Sequence, residues 1–284
     1  TEEGPFRERS VLITLVLGTF LTSMSGSIVQ VVVPRIGAWA GVGVLDAQWT
    51  LLVALMAICA CLLPAGRAGD LFGHVRVYRA GLILSILAAL ACALAPNYGL
   101  FLTFRGLQGV GAAMLMATSP AIVSLIVPVQ RRGQGLGLVS TAIYLGLTVA
   151  PVLGGWLETL GTFRTVFVVQ VPLLTIVAVL SWRYLPALPG NRDARSPDYW
   201  GGVLMVVALT GLVLVLARGR AWGGGAWQTW AAAISGLLGL TLFLRQQTRS
   251  PNPMLDLRLF RNRTFASAAA GAWLNYAALS HATY

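Results

Sequence analysis

Leu102-Thr103-Phe104-Arg105-Gly106-Leu107-Gln108-Gly109-Val110-Gly111-Ala112-Ala113 sets a single charge inside apolar sequence. The run from Tyr98 to Val127 is otherwise uncharged. As a helix it is long enough to cross a hydrocarbon core of about 30 Å. A guanidinium at that depth is costly and does not shed its proton. It persists only where it faces a protein interior or a wet cavity. The stretch therefore reads as a membrane-spanning helix with a polar inner face.

The rest of the chain agrees. Hydrophobic residues make up 57% of it, charged residues only 10%, and the mean hydropathy is +0.76. A soluble chain carries about 25% charged residues. The apolar residues come in long blocks, which excludes a barrel, whose strands alternate, and implies an all-α polytopic membrane protein. The net charge of +11 does not point to nucleic acid, because all 20 basic residues are Arg and most sit in short connections between apolar blocks. Such a distribution carries topology information and favours anionic lipid headgroups. Cys59, Cys61 and Cys92 lie within apolar blocks. Without a His set or a second Cys pair they read as small apolar residues, not as a metal site or a disulfide. No nucleotide loop, metal cluster or nucleophile–base pair suggests an enzyme or a cofactor.

Nine spans are expected: 11–33, 47–63, 77–95, 98–127, 133–157, 165–182, 199–217, 226–244 and 264–284. The first is too long for the core of a cleavable signal and serves as a span. Residue 1 is Thr, which suggests a trimmed start. Arg105 aside, the amino terminus and the connections after even-numbered spans hold fifteen Arg, and the other side holds four, Arg35, Arg164, Arg218 and Arg220. This asymmetry places the amino terminus in the cytoplasm of a multi-pass protein. The segment 183–198, with Pro186, Pro189, Gly190 and Pro197, reads as a boundary. It separates a six-span unit, 1–185, from a linker with two further spans, 186–250. A linker and one more span follow, 251–284.

Depth brings two spans together. With the first span running outward, Ser25 lies about 21 Å from its inner end. Arg105 lies about 10 Å from the outer end of the fourth, which runs inward. These levels nearly coincide. The first span is polar there, with Thr22, Ser23, Ser25, Ser27 and Gln30, and Gln108 shares a face with Arg105. A polar cavity is expected between the two spans, with Arg105, Gln108, Ser25 and Gln30 on a pathway for a small-molecule substrate. No acid lies in the hydrocarbon zone, since Asp46 and Glu158 fall at span ends and Asp70 in a connection. The substrate or a watery vestibule is left to balance Arg105. The alternative is an Arg that only braces helices, which the cost of a mid-span charge disfavours.

Two further features suggest motion. Span 5 carries Ala142, Gly146, Ala150 and Gly154 at a spacing of four, with Pro151 and Gly155. Small residues permit close helix approach, and Pro151 permits a kink. Span 4 carries Gly109, Ala113, Ala117 and Ala121 in the same way. The connection Gly66-Arg67-Ala68-Gly69-Asp70-Leu71-Phe72-Gly73-His74-Val75-Arg76 is expected to be a tight reversing loop in which glycines supply the turn. His74 falls at the inner headgroup level. His281, near the outer end of span 9, reads as structural.

Together these pieces resemble the major facilitator superfamily, and within it the fourteen-span drug–proton antiporter branch. Gly66, Asp70 and Gly73 match that family's inner-loop motif G-x-L-A-D-R-x-G-R-[RK], while Ala68, Leu71, His74 and Val75 depart from it. Arg105 to Ala113 matches the span 4 motif R-x-x-Q-G-x-G-A-A. Gly137, Gly146, Pro151, Gly154 and Gly155 match the span 5 antiporter motif, with Ala150 in place of a Gly. The stretches 198–222 and 253–263 are similar to the extra spans and following linker of that branch. The resemblance implies alternating access between two six-span bundles, with a site near the membrane middle. It implies an inner gate at Gly66, Asp70, Gly73 and Arg76, and a role for Arg105 in proton coupling or substrate contact. It implies a rocking interface along Gly146–Gly155. The expected activity is export of small amphipathic, drug-like compounds across the cell membrane in exchange for protons. Ser25 stands where the branch carries an acid, so the usual membrane-embedded proton carrier is replaced in this half. That leaves an importer or facilitator, or a scaffold or receptor derived from the fold, as alternatives. Nine spans form one bundle, two extra spans and the first span of a second bundle, as expected of a truncated product.

Overall fold

A computed structural model describes residues 3–159, 161–190, 198–223, 225–250 and 257–282. These residues are helical almost throughout and include no strand. The helices are α1 (Glu3–Ala40), α2 (Val44–Ala47), α3 (Trp49–Phe72), α4 (His74–Leu94), α5 (Tyr98–Ile126), α6 (Arg132–Thr159), α7 (Arg164–Tyr184), α8 (Tyr199–Trp222), α9 (Trp227–Arg249) and α10 (Arg263–Ala282). All but α2, a single turn, match the nine expected spans in order. A helix meets its own backbone hydrogen bonds, which an apolar solvent demands. Seven helical stretches among the described residues are long and apolar enough to cross a bilayer, and α8 carries a shorter apolar run, Trp200–Leu216.

Several ends fall later than expected. Helix α1 continues through Pro34 to Ala40, and α3 continues through Pro64 to Phe72. The expected loop 66–76 is therefore mostly helix: Gly66 to Phe72 belong to α3, and His74 already begins α4. The reversal takes one residue. Gly73 has φ +97°, a conformation side chains resist, and a Cβ on it would lie 2.2 Å from the Leu188 carbonyl oxygen. A single glycine at this position replaces the several that a longer loop would use.

Helices α1, α3, α4, α5, α6 and α7 pack on one another, and α8 and α9 form a pair whose α8 leans on α3. Small residues set the spacing. A Cβ at Gly146 of α6 would lie 2.7 Å from the Phe20 carbonyl oxygen of α1. At Gly154 it would lie 3.0 Å from Ile28 Cγ1. Gly109 of α5 sits equally close to Ala54 of α3, and Gly111 to Ser85 and Gly81 of α4. Gly155 meets nothing within 4 Å, and Pro151 is exposed. The stripe on α6 thus packs through Gly146, Ala150 and Gly154, while Pro151 and Gly155 lie off the contact.

Arginines tie the helix ends. Arg164, at the start of α7, donates to the carbonyls of Ala93 (2.7 Å) and Ala95 (2.8 Å) at the end of α4. Arg79 of α4 donates to the carbonyls of Ser181 and Leu185 at the end of α7, both at 2.9 Å. The last carbonyls of a helix have no partner within it, so each Arg closes its neighbour's end. Beside Arg164, Trp39, Phe101, Phe163 and Phe167 form an aromatic group, edge to face except for the tilted Trp39–Phe163 pair, at this end of the bundle.

Candidate functional site

Arg105 is 2% exposed and lies inside the bundle rather than against lipid. Its Nε donates to the Thr50 carbonyl of α3 at 3.2 Å, and its Nη1 donates to Gln108 Oε1, one turn along α5. The guanidinium also lies 5.9 Å from the Phe167 ring centre. Gln108 passes the chain on. Its Nε2 donates to Ser25 Oγ of α1 (3.1 Å) and to Gln170 Oε1 of α7 (2.8 Å). Ser25 Oγ donates to the same Gln170 oxygen at 2.7 Å. One buried network therefore joins α1, α3, α5 and α7.

Three of the four expected pathway residues, Arg105, Gln108 and Ser25, meet in this network. Gln30 does not join it and is exposed. Five helical residues turn the side chain about 140° away from Ser25, which accounts for the separation. Gln170 is the member that sequence reading missed. Its signal was available, because it is the single amide side chain in α7. Thr50 contributes a backbone oxygen, which no side-chain pattern announces.

The expected cavity is small. Thr22, Ser25, Ser85, Gln108, Ala112 and Leu174 enclose about 20 Å³. That volume admits about one water molecule. Its lining combines three hydroxyls and one amide with the apolar Ala112 and Leu174, and Gln108 is bonded to Arg105 behind it. The acids among the described residues, Glu3, Glu8, Asp46, Asp70, Glu158 and Asp198, sit at or near helix ends. None is bonded to the guanidinium, whose two donor contacts both end on neutral oxygens.

The second candidate region is the turn between α3 and α4. Asp70 lies 3.3 Å from His74 Nε2 and 3.7 Å from Arg67 Nη1, with its side chain half exposed. Gly66, Asp70 and His74 border a cleft of about 440 Å³ against Met116, Ala117 and Ala121 of α5. Arg76 is exposed. The segment after α7 crosses this turn with no room to spare: a Cβ at Gly190 would lie 2.0 Å from the Leu71 carbonyl oxygen and 2.7 Å from Gly73 N. At the far end of the bundle, Arg35 of α1 pairs with Glu158 of α6 and donates to the Glu158 and Gly161 carbonyls at 3.0 and 3.1 Å. The same two helices carry Ser25 and the Gly146–Gly154 contact.

Four helices thus meet at a buried Arg held by neutral groups. The family model described as Major Facilitator Superfamily matches residues 15–282. The chain belongs to the major facilitator superfamily. This superfamily comprises membrane transporters and not enzymes. Over 270 residues the chain is 34% identical to the multidrug resistance protein Stp of Mycobacterium tuberculosis, covering 92% of this chain and 49% of Stp. It is 28% identical over 270 residues to the multidrug transporter protein MdtP of Bacillus subtilis, covering 93% and 49%. It is 27% identical over 255 residues to the riboflavin transporter RibZ of Clostridioides difficile, covering 90% and 55%. The chain spans about half the length of these curated relatives. In fold it is similar to the peptide transporter POT, with a TM-score of 0.63, 18% identity, and coverage of 85% of this chain and 53% of that one. It is also similar to a bacterial homologue of the lysosomal transporter Spinster, with a TM-score of 0.55, 20% identity, and coverage of 86% and 63%.

Proposed function

We propose that this chain forms the amino-terminal part of a secondary-active exporter of small amphipathic compounds. The observation that carries the reading is the Arg105–Gln108–Ser25–Gln170 network, which joins α1, α5 and α7 inside the bundle through side chains that can exchange partners. Two relatives named for multidrug resistance or multidrug transport support a drug-like substrate class. In this reading, residues 1–185 form one rocking bundle, 186–250 add a linker and two spans, and 251–284 begin a second bundle. The amino terminus faces the cytoplasm of the cell membrane. The α3–α4 turn, with Gly66, Asp70, Gly73 and Arg76, is the inner gate, and the Gly146–Gly154 face of α6 slides on α1.

Proton exchange belongs to the same proposal, with the carrier placed elsewhere than at Ser25, a residue that does not titrate. A facilitator is the second reading, favoured by that serine and by the riboflavin transporter among the relatives. One experiment separates them. Accumulation of a fluorescent drug is followed in cells expressing the natural gene, with and without a protonophore. Collapse of the proton gradient raises accumulation to the level of control cells if export is proton-driven. Unchanged flux after collapse supports the facilitator and contradicts the exchanger.

A further inference from the structure

The buried network is short of acceptors. Gln170 Oε1 takes two hydrogen bonds, from Gln108 Nε2 and Ser25 Oγ, and Gln108 Oε1 takes one from Arg105. The Gln170 amide nitrogen, on a residue 3% exposed, is left with no acceptor. The Arg105 charge is met only by neutral oxygens. Leaving a donor unpaired in a buried site is unfavourable, and leaving a cation without an anion more so. The adjoining cavity adds the hydroxyl of Ser85. Every deficit in this part of the molecule is for negative charge or a lone pair.

We propose that the compound carried by this protein presents an anionic group, a carboxylate or its equivalent, to this cluster. The inference rests on the transport reading and deepens it by naming the charge of the substrate. A cation brought to the same place meets a guanidinium and donor groups, with no carboxylate to receive it. A carboxylate instead takes hydrogen bonds from Arg105 and Gln108 in place of the Gln108–Gln170 and Gln108–Ser25 bonds. In the conformation described here the cavity admits about one water, so the anion enters as α1, α5 and α7 part.

The test uses the natural gene in cells deprived of their own efflux pumps, loaded either with a fluorescent carboxylate released inside the cell from its ester or with a cationic dye of similar size. Membrane levels are matched by immunoblot. The expected result is export of the carboxylate with little export of the cation. Arg105→Gln and Gln170→Glu each lower carboxylate export about tenfold, the size of one lost charge-assisted hydrogen bond, while Arg105→Lys keeps the preference. Gln170→Glu supplies Arg105 with a nearby acid and is expected to fold, so a failure of Arg105→Gln to reach the membrane does not stop the test. Export of the cation that survives Arg105→Gln overturns the anion inference and leaves the transport reading standing. Export of neither dye overturns the transport reading, and the inference falls with it.

Discussion

Arg105 of α5 and Arg164 of α7 are held on very different terms. Arg164 gives both of its bonds to the last carbonyls of α4, oxygens that have no other partner. Arg79 likewise donates at the end of α7, to the Leu185 carbonyl and to the Ser181 carbonyl, which also accepts from Leu185 N. These two fasten α4 and α7 to each other at both ends. Arg105 instead gives one bond to a backbone oxygen and one to Gln108, and Gln108 divides its own donor between helices α1 and α7. An Arg that braces goes to carbonyls at a helix end. An Arg held by one backbone oxygen and one side-chain amide, itself bonded to a hydroxyl and a second amide, can change partners when the helices move. The fold thus separates its fixed cations from its exchangeable one.

That separation can be broken in order of effect. Arg105→Gln is expected to reduce transport about tenfold while the protein still inserts and folds, because the amide keeps a donor for the Thr50 carbonyl. Transport and membrane level measured on the same cells check this. Arg164→Ala is expected to do the reverse. Two charge-assisted bonds are lost and two carbonyls orphaned, so the thermal midpoint of the detergent-solubilised protein falls by the equivalent of about 3 kcal/mol. Transport per folded molecule changes little. Gly190→Ala presses a methyl into the Leu71 carbonyl and lowers stability by about 1–2 kcal/mol. It also slows opening of the α3–α4 turn, which appears as a lower maximal transport rate. Gln170→Leu removes an unpaired donor but also the acceptor of two buried bonds, from Gln108 and Ser25, so a loss of stability of about 1–2 kcal/mol is expected. A larger loss in the same thermal assay shows that Gln170 holds the helices together as Arg164 does.

Much of this contrast was legible in the sequence, and what escaped did so for physical reasons. Spans follow from apolar length, and all nine expected spans are helices in the expected order. Arg105, Gln108 and Ser25 could be placed together because rise per residue fixes depth. Gln30 lies about 7.5 Å further out than Ser25 at the helical rise per residue and on another side of the helix, and its side chain is exposed. Gln170 had a signal that went unweighed, a lone amide in an apolar span. The extension of α3 to Phe72 was hidden by Gly66 and Gly69, which read as loop residues. Inside a helix with neighbours they are tolerated, and only the positive φ at Gly73 needs a glycine for the turn. Arg79 and Arg164 counted only as topology charges, because a bond to a backbone carbonyl leaves no mark on the partner's side chain.

The central claim is that the Arg105 network lies on a route water and solute can reach. The most direct measurement replaces Ser25 by Cys in a background where Cys59, Cys61 and Cys92 are Ala, and follows modification by a small, charged, membrane-impermeant thiol reagent. Val44→Cys, at a position 72% exposed, serves as the reactive control. The account predicts that Ser25→Cys, buried in the conformation described here, is modified as the protein cycles, and that a transported compound slows the reaction. A cysteine there that stays unmodified while the Val44 variant reacts to completion would show a dry brace in place of a pathway.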